Sequence, residues 1–400
     1  MDARSHPKAS KPGISAPLLA FAAVGLAAAF ALPFVRVRPN RIADGDPRLL
    51  IAVAPAAAVA LAALWAAMGT VAALRRSATA RSRAAAFLAL CAGAAGLLAA
   101  GILSGRLAGA SSVARVSLSS GFWLTMLSAY SAFVLATRGA QWRSRGLRGL
   151  LSASVPILLA AMLASGFLDP VSVMRELSVQ KTVFLSEIAT HAALAGSAVV
   201  MGGVLGIALG MLALRHGTLK RVVFFVLNIV QTIPSLALFG LLILPLAALS
   251  SRFPALHAWG ISGIGRAPAL IALTFYAMLP VTRNTHTALE GVPSALREAG
   301  AGMGMTRWQL LVRVEAPLAL PLILAGVRTA AVQAVGNTVV TALIGAGGLG
   351  VFIFQGLGQF ASDMILLGTL PVIAMAIVTD ILMAGAVRVF TPRGLQRAEA

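Results

Sequence analysis

The chain has 400 residues, 59% hydrophobic and only 11% charged, with a formal net charge of +20. A mean hydropathy of +0.90 excludes an ordinary multidomain soluble protein. The basic excess is dispersed through short segments rather than gathered on one face, which argues against nucleic acid as a partner. The single Cys91 excludes an intrachain disulfide and a cysteine-based metal site.

Charge-free runs recur in chain order at Ile14–Val35, Leu49–Leu74, Ala84–Gly105, Val116–Thr137, Gly149–Leu168, Ile188–Leu214 and Val222–Ser251. Each reaches the roughly 20 residues a helix needs to cross about 30 Å of hydrocarbon. None carries the polar stripe of a soluble surface helix. Ala267–Val281, Leu318–Ile344 and Met364–Val387 complete a set of about ten spans. The expectation is an all-α, polytopic transmembrane helical bundle. The first run follows Arg4, Lys8 and Lys11, as a signal peptide would. It is too long for a signal core, however, and "ALPFVRVRPNR" lacks a clean small-residue cleavage site, so it reads as a retained span.

With the N-terminus inside, segments 1–13, 75–83, 138–148, 215–221, 289–317 and 388–400 face the cytoplasm. They hold about twice as many Lys and Arg as the outside segments, which favours N-in, C-in. The cluster from Arg36 to Arg48 dissents. Composition divides the chain: residues 1–168 form an Ala- and Leu-rich five-span extension of open role, and 169–186 a linker on the outer side. Residues 187–390 form a five-span second half with polar residues and helix breakers inside its spans, and 391–400 a cytoplasmic tail. Polar groups in hydrocarbon are costly and tend to face a bundle interior or a wet path.

Within the second half, Asn228, Gln231, Thr232, Pro234 and Ser235 surround a mid-span proline, which removes a backbone hydrogen bond and kinks a helix. Together with Asn337 and Thr338 they either line a polar path or bond between helices. Arg328 and Asp380 fall roughly 12–15 Å deep at 1.5 Å per residue. Isolated charges at that depth are expensive, so the two are expected to pair across adjacent helices. Asp380 is the one acid the sequence places inside a span. His191, His257 and His286 have no metal-ligand spacing and carry no expectation of function.

The cytoplasmic segment 289–317 contains "REAGAGMGMTRWQLL". Ser294 is the expected N-cap of a short helix, and Gly304 the left-handed residue that ends it. Thr306 and Gln309 then complete a T-x-x-Q capping box for a second short helix. Met303, Met305 and Trp308 form an apolar tip, flanked by Arg297, Glu298, Arg307 and Arg313. Such an elbow is a docking surface or a hairpin lying on lipid.

Glu298, Ala299, Gly300 and Gly304, then nine residues, then Val314 and Pro317 resemble the EAA loop of ABC-importer permeases. Ala316 stands where that pattern has leucine. "NIVQTIPSLALFGLL" and "TALIGAGGLGVFIFQGL" make residues 183–390 similar to permeases of the glycine betaine, carnitine and choline uptake group. The resemblance implies a type I ABC-importer permease core in the second half, in a bacterial inner membrane. It makes the elbow, with Glu298, Ala299, Gly300, Met303, Gly304, Met305, Thr306 and Trp308, the helix that couples to a separate ATPase. It further implies an ATPase dimer inside, a substrate-binding protein outside, a second permease copy or homologue, and alternating access. An ion-gradient-driven secondary transporter is the alternative, although no internal repeat supports it.

Gly345–Gly350 fits G-x-G-x-x-G by letter, but no soluble βαβ unit surrounds it. Gly345, Gly347 and Gly348 are read instead as close packing or as part of an outer gate. None of the four lysines follows a glycine, so no phosphate-binding G-K-[ST] loop exists. No constellation suited to catalysis is present. The chain is expected to be a non-enzymatic subunit that binds no cofactor, with ATP and Mg used on the partner.

Overall fold

The computed structural model describes residues 15–39, 44–74, 77–108, 114–139, 145–258 and 260–391. The whole expected inside segment 1–13, parts of 75–83 and 138–148, Arg41 of the dissenting cluster, and all but the first residue of the 391–400 tail lie outside them. The chain divides into two compact units, Met1–Val179 with Phe360–Asp363, and Gln180–Gln359 with Met364–Ala400.

The first unit runs α1 (Ala16–Phe30), β1 (Pro33–Arg38), β2 (Asp46–Leu49), α2 (Leu50–Val53), α3 (Pro55–Ala73), α4 (Ala78–Leu107), β3 (Arg115–Leu118), α5 (Ser120–Gly139), α6 (Arg145–Ala164) and α7 (Ser172–Val179). Helices α1, α3, α4 and α5 pack around Trp65, Leu61, Met68 and Leu103, all fully buried. The strands form an antiparallel sheet in the order β2-β1-β3. This corrects two expected spans. The run to Val35 stops as helix at Phe30, and the run from Val116 begins as strand. Pro33 can open a strand because it has no N–H to give, and the period-two "VRVR" after it suits a pleated ribbon. The dissenting Arg36, Arg38 and Arg48 therefore sit on a small sheet rather than in a plain loop.

Two acids in this unit are deeply placed. Glu176, 1% exposed, faces Arg115 at 3.4 Å. Asp363, 4% exposed and grouped with this unit, accepts from Ser172 and from Ser117. Asp380 was the only acid expected inside, yet these two are far more buried.

The second unit runs α8 (Lys181–Arg215), α9 (Gly217–Thr232), α10 (Ser235–Arg252), α11 (Pro254–Ala258), α12 (Arg266–Glu290), α13 (Ser294–Gly302), α14 (Arg307–Leu310), a π turn (Leu311–Glu315), α15 (Ala316–Asn337), a 3-10 turn (Val340–Ile344), α16 (Gly350–Gly358) and α17 (Ser362–Phe390). Helix α12 is its axis and packs most extensively on α8 and α15. Gly202, Gly206 and Gly210 of α8 make that approach possible: a Cβ there would lie 2.6, 2.9 and 2.7 Å from Ala277, Val281 and Thr285. Small residues at four-residue spacing let helices close in lipid, where packing rather than water drives association.

Among the described residues, eight helices are long and apolar enough to cross a membrane: α3, α4, α5, α6, α8, α10, α15 joined to the turns before it, and α17. The two other expected spans fall differently. Helix α1 has only 15 residues, and α12 has 25 but carries Thr282, Arg283, Asn284 and His286. Neighbouring helices shelter part of this set: Thr282 and His286 are buried, and Asn284 donates to the Leu322 carbonyl at 3.2 Å, while Arg283 is exposed.

Candidate functional site

The elbow is built by local rules. Helix α13 ends with the Met305 N–H bonded to the Gly300 carbonyl at 3.1 Å and the Gly304 N–H to the Ala301 carbonyl at 2.9 Å. Those two bonds are the Schellman pattern, and it needs a left-handed residue at 304. Gly304 supplies it with φ +79. Gly300 is buried under Leu310, whose Cδ1 would lie 2.6 Å from any Cβ placed there. Thr306 then caps α14: its hydroxyl accepts from the Gln309 N–H at 3.3 Å, while the Gln309 side chain accepts from the Thr306 N–H at 2.9 Å. One expectation fails. Ser294 is the first helical residue, and Pro293 occupies the cap without a side-chain bond.

The second short helix is not a separate piece. Pro317 has no N–H to offer the carbonyl four residues back, so an α ladder cannot pass it unbroken. The backbone widens into the π turn just before, and α14 runs through it into α15. Arg297, expected on the polar flank, points inward instead. Its Nε donates to Glu315 at 2.6 Å and its Nη2 to the Leu289 carbonyl at 2.5 Å. One guanidinium thereby ties α13 to the end of α12 and to the root of α15. Sequence reasoning missed Glu315; the signal was an arginine and a glutamate flanking a capped turn.

Met303 and Trp308 are each 71% exposed at the tip. Burying a side chain of Met size is worth about 1.5–3 kcal/mol, so this tip holds binding energy in reserve. Glu298 and Ala299 are also exposed, Met305 is half-buried, and Glu298 has no ion pair among the described residues. Below the tip, a cavity of about 710 Å³ opens between the ends of α8 and α12, lined by Met211, Arg215, Leu289, Trp308 and Leu311 among others.

The proline segment is broken rather than kinked: α9 ends at Thr232, and α10 restarts after Pro234. Tyr276 of α12 bridges the gap. Its hydroxyl donates to the Ile233 carbonyl at 2.5 Å, and its own carbonyl accepts from Gln231 Nε2 at 3.1 Å. Asn228 accepts from Arg283 at 3.0 Å, and Thr232 donates to the Ile229 carbonyl at 2.7 Å. Thr338 is buried and donates to the Ala334 carbonyl at 2.7 Å. Ser235 and Asn337 are half-buried, with no side-chain hydrogen bond among the described residues. Helix breaks are tolerated at membrane depth when neighbouring side chains satisfy the freed backbone groups.

Arg328 and Asp380 pair as expected, in a bidentate fork at 2.6 and 2.8 Å between α15 and α17. Gly345, Gly347 and Gly348 take positive φ in the loop that follows the 3-10 turn. That loop lies at the end of α15 opposite the elbow.

Residues 202–394 match the family of binding-protein-dependent transport system inner membrane components. Over 206 residues the chain is 43% identical to the osmoprotectant import permease protein OsmW of Salmonella typhimurium, covering 52% of this chain and 91% of that one. The chain belongs to this permease family. It is also 40% identical, over 199 residues, to the glycine betaine/carnitine/choline transport system permease protein OpuCB of Bacillus subtilis, covering 50% of this chain and 84% of that one. Residues 11–174 match a second family, the N-terminal domain of the ABC transporter permease YehY. A solved chain of the MetNI methionine ABC transporter is 22% identical, with a TM-score of 0.47 over 53% of this chain and 98% of that one. The permease is thus a multi-pass protein of the bacterial inner membrane. Membership of an ABC family sets aside the reading as an ion-gradient-driven transporter.

Proposed function

We propose that this permease forms the membrane path of an ATP-driven importer for small osmoprotectants of the glycine betaine, choline and carnitine type. The elbow seats in a cytoplasmic ATPase, and the exposed apolar tip of Met303 and Trp308 beside the continuous α14–α15 unit is the observation that carries the reading. ATP and Mg are used on that partner, with an ATPase dimer below the membrane and a substrate-binding protein outside. A second copy, or a homologous permease, closes the path. The termini and the elbow lie inside, and residues 345–350 lie outside. The relatives support the substrate class, since OsmW and OpuCB carry it in their names. The route runs near the α9–α10 break, with Asn228, Gln231, Thr232, Pro234, Ser235, Asn337 and Thr338 along it or bracing it.

Mechanically, closure of the ATPase dimer draws the two elbows together. Because α14 continues through the π turn into α15, the displacement enters the bundle along α15 and rocks the halves between inward and outward states. The test is co-purification of the native complex. An ATPase should accompany the wild-type chain and be lost with Glu298→Arg or Gly304→Trp, both of which still insert in the membrane. A native complex without a nucleotide hydrolase on the elbow, or an elbow labelled from outside the cell, would overturn the reading.

A further inference from the structure

At the end of the second unit remote from the elbow, the glycine loop is held by two side chains one helical turn apart on α8. Glu187 accepts from the Gly348 N–H, and His191 Nδ1 accepts from the Leu349 N–H at 3.3 Å. His191 Nε2 lies 3.0 Å from the Val335 carbonyl. A carbonyl only accepts, so Nε2 carries the proton and Nδ1 is left as a bare acceptor. His191 is fully buried among these partners.

The fit leaves no slack. Gly347 and Gly348 take φ +84 and +93, which turns two successive N–H groups toward α8. A Cβ at 347 would stand 3.0 Å from the Glu187 carboxylate, and one at 348 would stand 3.2 Å from His191 Nδ1. One turn earlier on the same helix face, the Phe184 ring packs on Phe352 of α16 at 5.8 Å. The loop is further closed by Thr341 donating to the Gly347 carbonyl at 3.2 Å and by the Gly265 N–H on the Ile344 carbonyl at 2.7 Å.

We propose that Glu187 and His191 are positioning residues that bind residues 345–350 to α8 as one body, so that this end opens by moving helix and loop together. The proposal rests on the permease reading for its meaning in transport, but the clamp itself is tested without it.

Asparagine places its carbonyl oxygen near the position of His Nδ1, whereas glutamine reaches the position of Nε2. His191→Asn therefore keeps the acceptor for Leu349 and drops Val335, and His191→Gln does the reverse. Glu187→Gln keeps an acceptor, and Glu187→Ala removes it. In the full complex reconstituted in vesicles, His191→Asn and Glu187→Gln should keep substrate imported per ATP within about twofold of wild type. His191→Gln and Glu187→Ala should lower it about fivefold, the size expected for one hydrogen bond. Ala346, 3% exposed, reports the loop directly. As Ala346→Cys in a Cys91→Ser background, its labelling by a water-soluble maleimide should rise about fivefold in the same two disruptive variants. Equal behaviour of His191→Asn and His191→Gln, or a loss of import with unchanged labelling, would reduce both residues to core packing and overturn the proposal. A wild-type complex with no ATP-dependent import would overturn the permease reading instead, and the labelling would still decide the clamp.

Discussion

The elbow and the glycine loop cap opposite ends of α15, and both are built around glycine in the left-handed region. Their surroundings are opposite. At the elbow, Gly304 ends a helix and leaves Met303 and Trp308 in the open. At the loop, the turn at Gly347 and Gly348 presses the Gly348 and Leu349 N–H groups against Glu187 and His191, and Ala346 and Leu349 are buried. The same backbone device serves contact with something else in one place and immobility in the other. What distinguishes them is the neighbouring helix, which packs over the loop and leaves the tip of the elbow bare.

The largest effect should come from breaking the elbow's backbone. Gly304→Val forces a β-branched residue to φ +79, where such residues are strongly disfavoured. ATP-dependent import should fall at least about tenfold, which corresponds to 1.4 kcal/mol, while membrane insertion is retained. Next is the α15–α17 fork. Removing one partner strands the other charge, so Arg328→Ala or Asp380→Ala should sharply reduce the monodisperse yield in detergent. The double Arg328→Ala, Asp380→Ala variant should recover part of that yield; independent losses would show that the pair is not coupled. Cutting the strut with Arg297→Ala frees α13 from Glu315 and the Leu289 carbonyl. ATPase affinity should fall about tenfold in a pull-down titration, at about 1.5–3 kcal/mol for a charge-assisted bond. The smallest effect belongs to Thr306→Ala. Losing the capping box costs about 1 kcal/mol, read as a few-fold weaker ATPase binding with import per ATP unchanged.

These sites differ in how much of them was visible beforehand. The elbow was readable because its capping box and its Schellman turn act over three to five residues, within the reach of local rules. The Arg328–Asp380 fork was readable because the cost of lone charges in hydrocarbon leaves few alternatives. The α9–α10 break was half readable: Pro234 announced a defect, but only the Tyr276 hydroxyl, from another helix, let the chain open fully instead of kinking. His191 by itself carries no signal of function in the sequence. Its partner Leu349 is 158 positions away, and no local pattern links them. A face carrying Phe184, Glu187 and His191 on an apolar helix was the one signal available. The strands of the first unit are hard to read because "PFVRVR" continues an apolar run, and only its period-two alternation speaks for a ribbon.

By itself the sequence determined the membrane as solvent, the capped turn of the elbow and the permease family. Each follows from composition, or from spacings short enough to act within one turn or one helix. Only the tertiary structure decided that Glu176 and Asp363 are buried while Asp380 is half exposed, that Tyr276 bridges a broken helix, and that α8 grips the glycine loop. Those outcomes depend on which helices lie side by side. In a bundle of near-uniform apolar helices, adjacency is set by glycine approaches and a few polar partners far apart in the chain.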